Sequence, residues 1–423
     1  MPIPNDYNPP HDAWRAVRPP WIHEPKENKG MCLPIDLSVN HTFGSLRFLQ
    51  DHVAGIEEGH LYHREGNPTV NAVEKILAGL EGAVSGLLFS SGMGAELGVI
   101  LPYLEPGDHV LTTLDVYGHL YRWLKWFGPK QQVTATFVPA AAGTDAFLAA
   151  IQPNTRLVFL ESPTNPLCRC LDIARIAEVC RERTKQKLPR GPGNLGPIEA
   201  GVALAGGTLF VVDNTFATPY NQRPLDLGAH IVMHSVTKYL AGHNDVLAGC
   251  LCGDWKYIFP SWNVRQIYGA MISSFDSYTI ARGLKTFPLR MERHNQNALA
   301  LARWLEKDPR VSDVWYPGLE SAPDHAVAKK QMTGGFGGML SFRCKGGPAA
   351  AERIFNTVQV AIHAPSLGCT ETLICPPADT SQKALSEADR EKIGVDGAVI
   401  RVSVGIEPID MLTADFDQAL KPA

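Results

Sequence analysis

The sequence predicts an α/β protein: a mostly parallel central sheet with helices on both faces, followed by a smaller C-terminal α/β unit. Three observations predict it. Brief, nearly continuous apolar runs recur between residues 83 and 235, without the polar alternation of a half-exposed strand. Segments of helical apolar spacing separate those runs, as the crossovers between parallel strands require. Beyond about residue 276 the pattern changes to a long helical region and then shorter strands.

Taken in order, residues 1–65 read as an extended arm, with two Pro-Pro pairs and the breakers Gly55 and Gly59. Residues 66–275 form the large unit. Within it Val70, Val73, Ile76, Leu77 and Leu80 recur at helical spacing, and the apolar run 83–89 then ends in the small-residue turn Ser90-Ser91-Gly92. A helix and a buried strand follow from this. The runs 109–113, 157–160, 209–212 and 231–233 repeat the alternation. Residues 184–207 crowd Pro and Gly between a helix and the strand at 209, which predicts a surface insertion. The small unit, 276–423, is read from a helix around 295–306, strands near 338–342 and 399–404, and a helix from Ala349 between them.

A chain of 423 residues is long enough for two to three folding units with large cores. Its formal net charge of −4 comes from 39 basic and 43 acidic side chains that are interspersed, which excludes nucleic acid and anionic membranes as partners and leaves small molecules. The nine cysteines are scattered, with no repeated CxxC spacing and no His or Cys at zinc spacing. Free thiols in a reducing compartment and no metal site are expected. Residues 1–34 hold no apolar core of a secretory signal, and the most apolar stretch, 202–212, is too short and too broken by glycine to cross a bilayer. A cytoplasmic protein is expected.

Three motifs carry chemistry, each at the end of an expected strand, where ligands of parallel sheets gather. In His234-Ser235-Val236-Thr237-Lys238 a lysine sits beside two hydroxyls and small residues, where shielding can lower its amine pKa as a Schiff-base lysine requires. In Val211-Val212-Asp213 an aspartate ends a buried strand. Such a carboxylate can hold a proton on the ring nitrogen of pyridoxal phosphate; the plain alternative is a cap for the next turn. In Ser90-Ser91-Gly92-Met93-Gly94-Ala95 glycines open a helix after a strand, which lets unsatisfied backbone N–H groups meet a phosphate.

From about residue 60 onward the chain resembles the Cys/Met-metabolism family of pyridoxal-phosphate enzymes, which comprises cystathionine γ-synthases, cystathionine γ-lyases, methionine γ-lyases and cystathionine β-lyases. The matching stretches include YHREGNPT, SSGMGAE, ESPTNP, VVDNTFATPYNQRPLDLGAHIVMHSVTKYLAGHNDVLAG, RGLKTFPLRMERH, GGFGGMLSF, APSLGCTETL and IRVSVGIE. The resemblance implies the fold-type I pyridoxal-phosphate transferase fold. It makes Lys238 the Schiff-base lysine, Asp213 the partner of the pyridine nitrogen, and Gly92, Met93, Ser235 and Thr237 the phosphate holders. Tyr117 matches a tyrosine stacked on the cofactor ring. Tyr62 and Arg64 match a pair that reaches the phosphate of a neighbouring subunit, which implies a homotetramer built from dimers with shared sites. Arg401, with Asn165 and Ser366, matches the clamp on the substrate α-carboxylate, and Glu371 a glutamate facing the distal end of the substrate.

The activity so implied is γ-replacement or γ-elimination on a homoserine-derived or sulfur-containing amino acid, through a vinylglycine-type intermediate, with Lys238 as the base. The alternatives are β-elimination of the cystathionine β-lyase type and a catalytically silent relative used for binding. Replacement and elimination are not separated by residue type: GHNDVLAGC is nearer the γ-synthases and SLGCTETL nearer some γ-lyases. His119 stands where methionine γ-lyases carry cysteine, and ADTSQ after Pro377 replaces the family's usual Met-Thr-His run. The first argues against a plain methionine γ-lyase, and the second predicts an altered substrate entrance.

Overall fold

The structure, a computed structural model, describes residues 31–185 and 207–421. Nearly all of the expected insertion at 184–207, and the first thirty residues of the arm, lie outside the described residues.

Seven strands build the large sheet: β1 (Ser85–Phe89), β2 (His109–Thr113), β3 (Thr134–Val138), β4 (Thr155–Glu161), β5 (Leu209–Asp213), β6 (Ile231–His234) and β7 (Gly249–Gly253). They lie in the order β1-β7-β6-β5-β4-β2-β3, with β7 antiparallel to both neighbours and the rest parallel. Side chains alternate into two cores. Leu157, Phe159, Val211 and Met233 fill one face, and Val158, Leu160, Phe210 and Val212 the other. Burial on both faces is why these strands read as unbroken apolar runs, each such side chain contributing roughly 1.5–3 kcal/mol. Neither β3 nor β7 stands out in the apolar pattern. β3 is an edge strand with only Val138 buried, and β7 is the small-residue run Gly-Cys-Leu-Cys-Gly.

The helix expected from Val70 spans Pro68–Glu81. Asn67 caps its start, its side chain accepting from the N–H groups of Thr69 and Val70, and Gly82 ends it in the left-handed region at φ +69°. Helix Gly92–Tyr103 begins at the small-residue turn, where the Ser91 hydroxyl accepts from Gly94 N at 3.0 Å. The arm differs from the expected irregular chain. It holds a helix, Leu46–Val53, none of whose residues is buried, and Asn40 forms an isolated bridge with Tyr62.

The second sheet contains β8 (Val311–Trp315), β9 (Met339–Cys344), β10 (Ile362–His363), β11 (Leu373–Cys375) and β12 (Val399–Ser403), in the order β10-β11-β12-β9-β8. Helices Phe287–Lys307, Gly347–Thr357 and Ile409–Leu420 pack on it over a core that includes Leu340, Phe342, Ile400, Val402 and Phe416. Strand alternation turns Arg401, between Ile400 and Val402, to the opposite face, towards the large sheet. All nine cysteines are free. Cys250 and Cys252 lie on β7, whereas Cys168 and Cys170 lie in the loop after β4. Among the described residues no helix is long and apolar enough to cross a membrane, and no group of three or more His, Cys, Asp or Glu could hold a metal ion.

Candidate active site

A cavity of about 930 Å³ opens at the carboxyl ends of β4, β5 and β6 and is closed on its far side by Arg401 and by segments 365–367 and 380–384. Three strands thus deliver Glu161, Asp213 and the 235–238 turn to one wall, as the geometry of parallel sheets dictates.

Lys238 lies four residues past β6, and its Nζ donates to Ser366 Oγ at 3.0 Å. Burial, with the nearby Arg401 guanidinium adding to it, lowers the amine pKa to about 8. The turn at Gly368, φ +79°, packs so closely that a Cβ there would come within 2.6 Å of Tyr239 N, so glycine is required for segment 366–368 to lie against the lysine.

Asp213 ends β5 and is opposite Glu161 in the neighbouring strand. Its Oδ1 accepts from both Thr215 N at 2.9 Å and Thr215 Oγ1 at 2.5 Å. Burial pushes Asp213 up, and the Thr215 bonds and His234 counter it. Glu161, whose Oε1 accepts from Tyr117 N at 2.6 Å, is driven well above the carboxylate range by burial and by Asp213. Of the two, Glu161 is pushed further up and so holds its proton more tightly than Asp213. A third acid, Glu96, reaches the cavity from helix Gly92–Tyr103. It is 3% exposed, its Oε2 has no hydrogen-bond partner, and burial together with Asp213 holds its proton on. Neither Glu96 nor Glu161 was singled out from sequence. The available signals were Glu96 four residues after Gly92, on the same helix face, and Glu161 as the last residue of an apolar strand.

At the start of helix Gly92–Tyr103 a Cβ on residue 92 would lie 3.1 Å from Ser235 Oγ, so the missing side chain leaves a cradle between the helix N-terminus and Ser235. Met93, Ser235 and Thr237 line it. Thr237 Oγ1 is already engaged with Ala248, accepting from its N–H and donating to its carbonyl. Tyr117, half-exposed, precedes helix Gly118–Trp126, and its ring lies 5.2 Å from that of His119. Burial, with Glu96 and Glu161, raises the Tyr117 hydroxyl above its usual pKa. His119, Arg122 and Lys383 line the mouth, together with Thr380 and Ser381 of the ADTSQ stretch.

Arg401 is 2% exposed. Its Nη1 donates to Asn165 Oδ1 at 3.1 Å and its Nη2 to the carbonyls of Pro365 and Ser366 at 3.0 and 3.1 Å, while its Nε is buried without a partner. The structure thus brings Lys238, Asp213, Tyr117, Gly92, Met93, Ser235, Thr237, Asn165 and Arg401 around one cavity, with Ser366 behind its wall and bonded to Lys238. Three other expected residues lie apart from it. Tyr62 and Arg64 sit on the arm with the guanidinium 5.2 Å from the tyrosine ring, and Glu371 binds Thr370 in its own loop.

A shielded amine of lowered basicity, a buried carboxylate, a helix-N-terminal cradle for phosphate and an orphaned guanidinium N–H suit pyridoxal phosphate with an amino-acid substrate. The fold and site are those of a pyridoxal-phosphate enzyme. The chain belongs to the Cys/Met metabolism PLP-dependent enzyme family, whose model matches residues 22–188 and 199–421. It is 40% identical to the chloroplastic cystathionine gamma-synthase 1 of Nicotiana tabacum over 85% of its length, and spans 62% of that longer protein. It is 37% identical to the L-methionine gamma-lyase of Pseudomonas putida, over 94% of this chain and 95% of the relative. The crystal structure of cystathionine gamma synthase from Xanthomonas oryzae pv. oryzae in complex with cystathionine superposes with a TM-score of 0.83 at 32% identity, covering 97% of each chain.

Proposed function

We propose that this protein catalyses γ-replacement or γ-elimination on a homoserine-derived or sulfur-containing amino acid. The observation that carries the reading is the convergence of Lys238, Asp213 and Arg401 on one cavity. Pyridoxal phosphate, when bound, supplies the electron sink for charge developing at the substrate α-carbon. Gly92, Met93, Ser235 and Thr237 would hold its phosphate, Tyr117 would stack on its ring, and Asp213 would hold the proton at its ring nitrogen.

Arg401 would receive the substrate α-carboxylate. Three of its five N–H groups are already engaged by Asn165, Pro365 and Ser366, which fixes the guanidinium and leaves the Nε–H and one Nη1–H as donors for an anion. Lys238 would take the α-proton and then move a proton at the β-carbon. A pKa of about 8 suits an amine that must both accept and return protons near neutrality. Ser366 Oγ keeps that amine aimed. Tyr117, which retains its proton because of burial and the acids nearby, would donate to the leaving group.

Tyr62 and Arg64 would complete the phosphate site of a second copy, in a homotetramer built from dimers. Their position outside this chain's own cavity supports that reading, as do the exposed apolar side chains Leu37, Val39, Leu46, Val53 and Ile56 along the same arm. Nine free thiols are in keeping with work in the cytoplasm.

The reading is tested by absorbance and product analysis. The purified protein should carry an absorption band near the visible edge that is absent from Lys238→Ala. Offered O-acyl-homoserine, cystathionine, methionine and cysteine separately, it should release 2-oxobutanoate, or form a product only when a nucleophile is added. Pyruvate from cystathionine would assign β-elimination and overturn the γ reading.

A further inference from the structure

Behind Asp213, out of the cavity, lies a buried pair that the chemistry above does not use. Glu81 is the last residue of helix Pro68–Glu81 and His234 the last residue of β6; their side chains are 1% and 2% exposed. His234 Nε2 and Glu81 Oε1 are 2.5 Å apart. The same Glu81 oxygen accepts from Asn214 Nδ2 at 3.0 Å, and Asn214 is the residue immediately after Asp213. One carboxylate therefore grips the ends of β5 and β6, the two strands that present Asp213 and the Lys238 turn. A second tie between the same ends runs from Ser235 N to Thr215 Oγ1 at 2.8 Å, and Thr215 in turn binds Asp213.

Register places the imidazole one residue past the level of the aspartate, on the opposite face of the sheet and within electrostatic reach of it. Asp213 pairs with Met233 in the neighbouring strand, and His234 is the next residue. The ionisable groups acting on His234 are Glu81 from the helix, Asp213 from β5 and Cys250, its partner across β7. Burial works against a proton on the imidazole, but the Glu81 contact, with Cys250 and Asp213 adding to it, raises the pKa above its ordinary value and so favours the cationic ring. That cation in turn opposes the rise that burial imposes on Asp213. Placing an acid and an imidazole in a dry interior is costly; the short contact and the Asn214 bond offset part of that cost, while Glu81 Oε2 and His234 Nδ1 are buried without partners.

We propose that Glu81 and His234 form a positioning unit, a buried carboxylate–imidazolium pair that keeps Asp213 anionic and fixes its place relative to Lys238. The inference rests on the role of Asp213 at the cofactor's ring nitrogen. Glu81→Gln preserves the size of the side chain and an acceptor for His234 and Asn214 but removes the charge that sustains the imidazolium. Pyridoxal phosphate is then titrated into cofactor-free full-length protein and compared with an analogue whose ring nitrogen is replaced by carbon. The variant should bind pyridoxal phosphate about tenfold more weakly, and the carbon analogue within about twofold of the unaltered protein, because only the former engages Asp213. Equal losses for both ligands, or no loss for either, would overturn the proposal, since a purely structural contact has no means of sensing the ring atom.

Asp213→Asn, run in parallel, separates the two layers. If Asp213→Asn discriminates between the ligands and Glu81→Gln does not, the role of Asp213 stands and the pair is rejected. If neither discriminates, the ring-nitrogen role falls and takes the pair with it. A readout on the unaltered protein guards against a variant that fails to fold: selective isotope labelling of histidine should show the His234 ring cationic at pH 7, and a neutral ring there would reject the pair.

Discussion

The large sheet brings three acids and the Lys238 amine to the cavity and the small sheet brings a fixed cation, and the two sets are held in different ways. Glu161 and Asp213 at the ends of β4 and β5 are joined by Glu96, all within one wall and all raised by burial. The contribution of β12 is a single buried guanidinium whose partners are neutral: Asn165 and two backbone carbonyls. Crowded acids in a dry pocket share protons, so their charge is adjustable. A guanidinium paired only with dipoles keeps its charge and offers it to whatever anion enters. On our reading the first wall manages proton and electron flow, and the second recognises the substrate.

The comparison predicts unequal effects. Lys238→Ala, which removes the proton carrier of the first wall, should lower turnover by at least about 10³-fold, while the thermal midpoint of the cofactor-free protein does not fall, because the buried amine is itself costly. A drop of less than tenfold would break the division of labour. Arg401→Ala should act chiefly on recognition. We expect kcat/KM to fall about 100-fold, close to 2.7 kcal/mol, carried mostly by KM. A loss confined to kcat would place the guanidinium in the chemistry instead.

A pH experiment sharpens the account of the first wall. On our reading Lys238 captures the cofactor's aldehyde, which only its unprotonated amine can do, and its pKa is lowered to about 8 from 10.5. The capture rate, followed by stopped-flow absorbance, should therefore rise about tenfold per pH unit below 8 and level off above it. A rise continuing to pH 10 would mean an amine in contact with water. Between those two pKa values the unfolded chain binds more protons than the folded one, so cofactor-free stability should increase with pH across that window. The smallest effect is expected for Glu96→Gln. Burial and Asp213 both favour the protonated form of Glu96, which an amide mimics, so kcat/KM at pH 7 should change by less than about threefold.

How much was legible in the sequence varies by element. The helix at 68–81 and strands β2, β4, β5 and β6 could be read because burial on both faces removes polar residues from a strand, and that leaves a mark in one dimension. Edge strand β3 and small-residue strand β7 escaped, the first because water reaches it and the second because glycine and cysteine carry little apolar signal. Helix Leu46–Val53 escaped because it buries nothing in this chain. Lys238 and Asp213 stood out because each follows an apolar run at a strand end, and the roles of the remaining site residues came through likeness to a known family.

By itself, then, the order of residues determined the alternation of buried strands and helices, and with it the strand ends where Asp213 and Lys238 must emerge, since both follow from local apolar pattern and turn chemistry. Only the tertiary structure decided that Glu96, Glu161 and the Glu81–His234 pair are dry and close together, and that Arg401 crosses from the second sheet to Asn165, 236 positions earlier in the chain. A carboxylate's proton affinity depends on what displaces water around it, and those neighbours come from distant segments that no local reading of the chain can assemble.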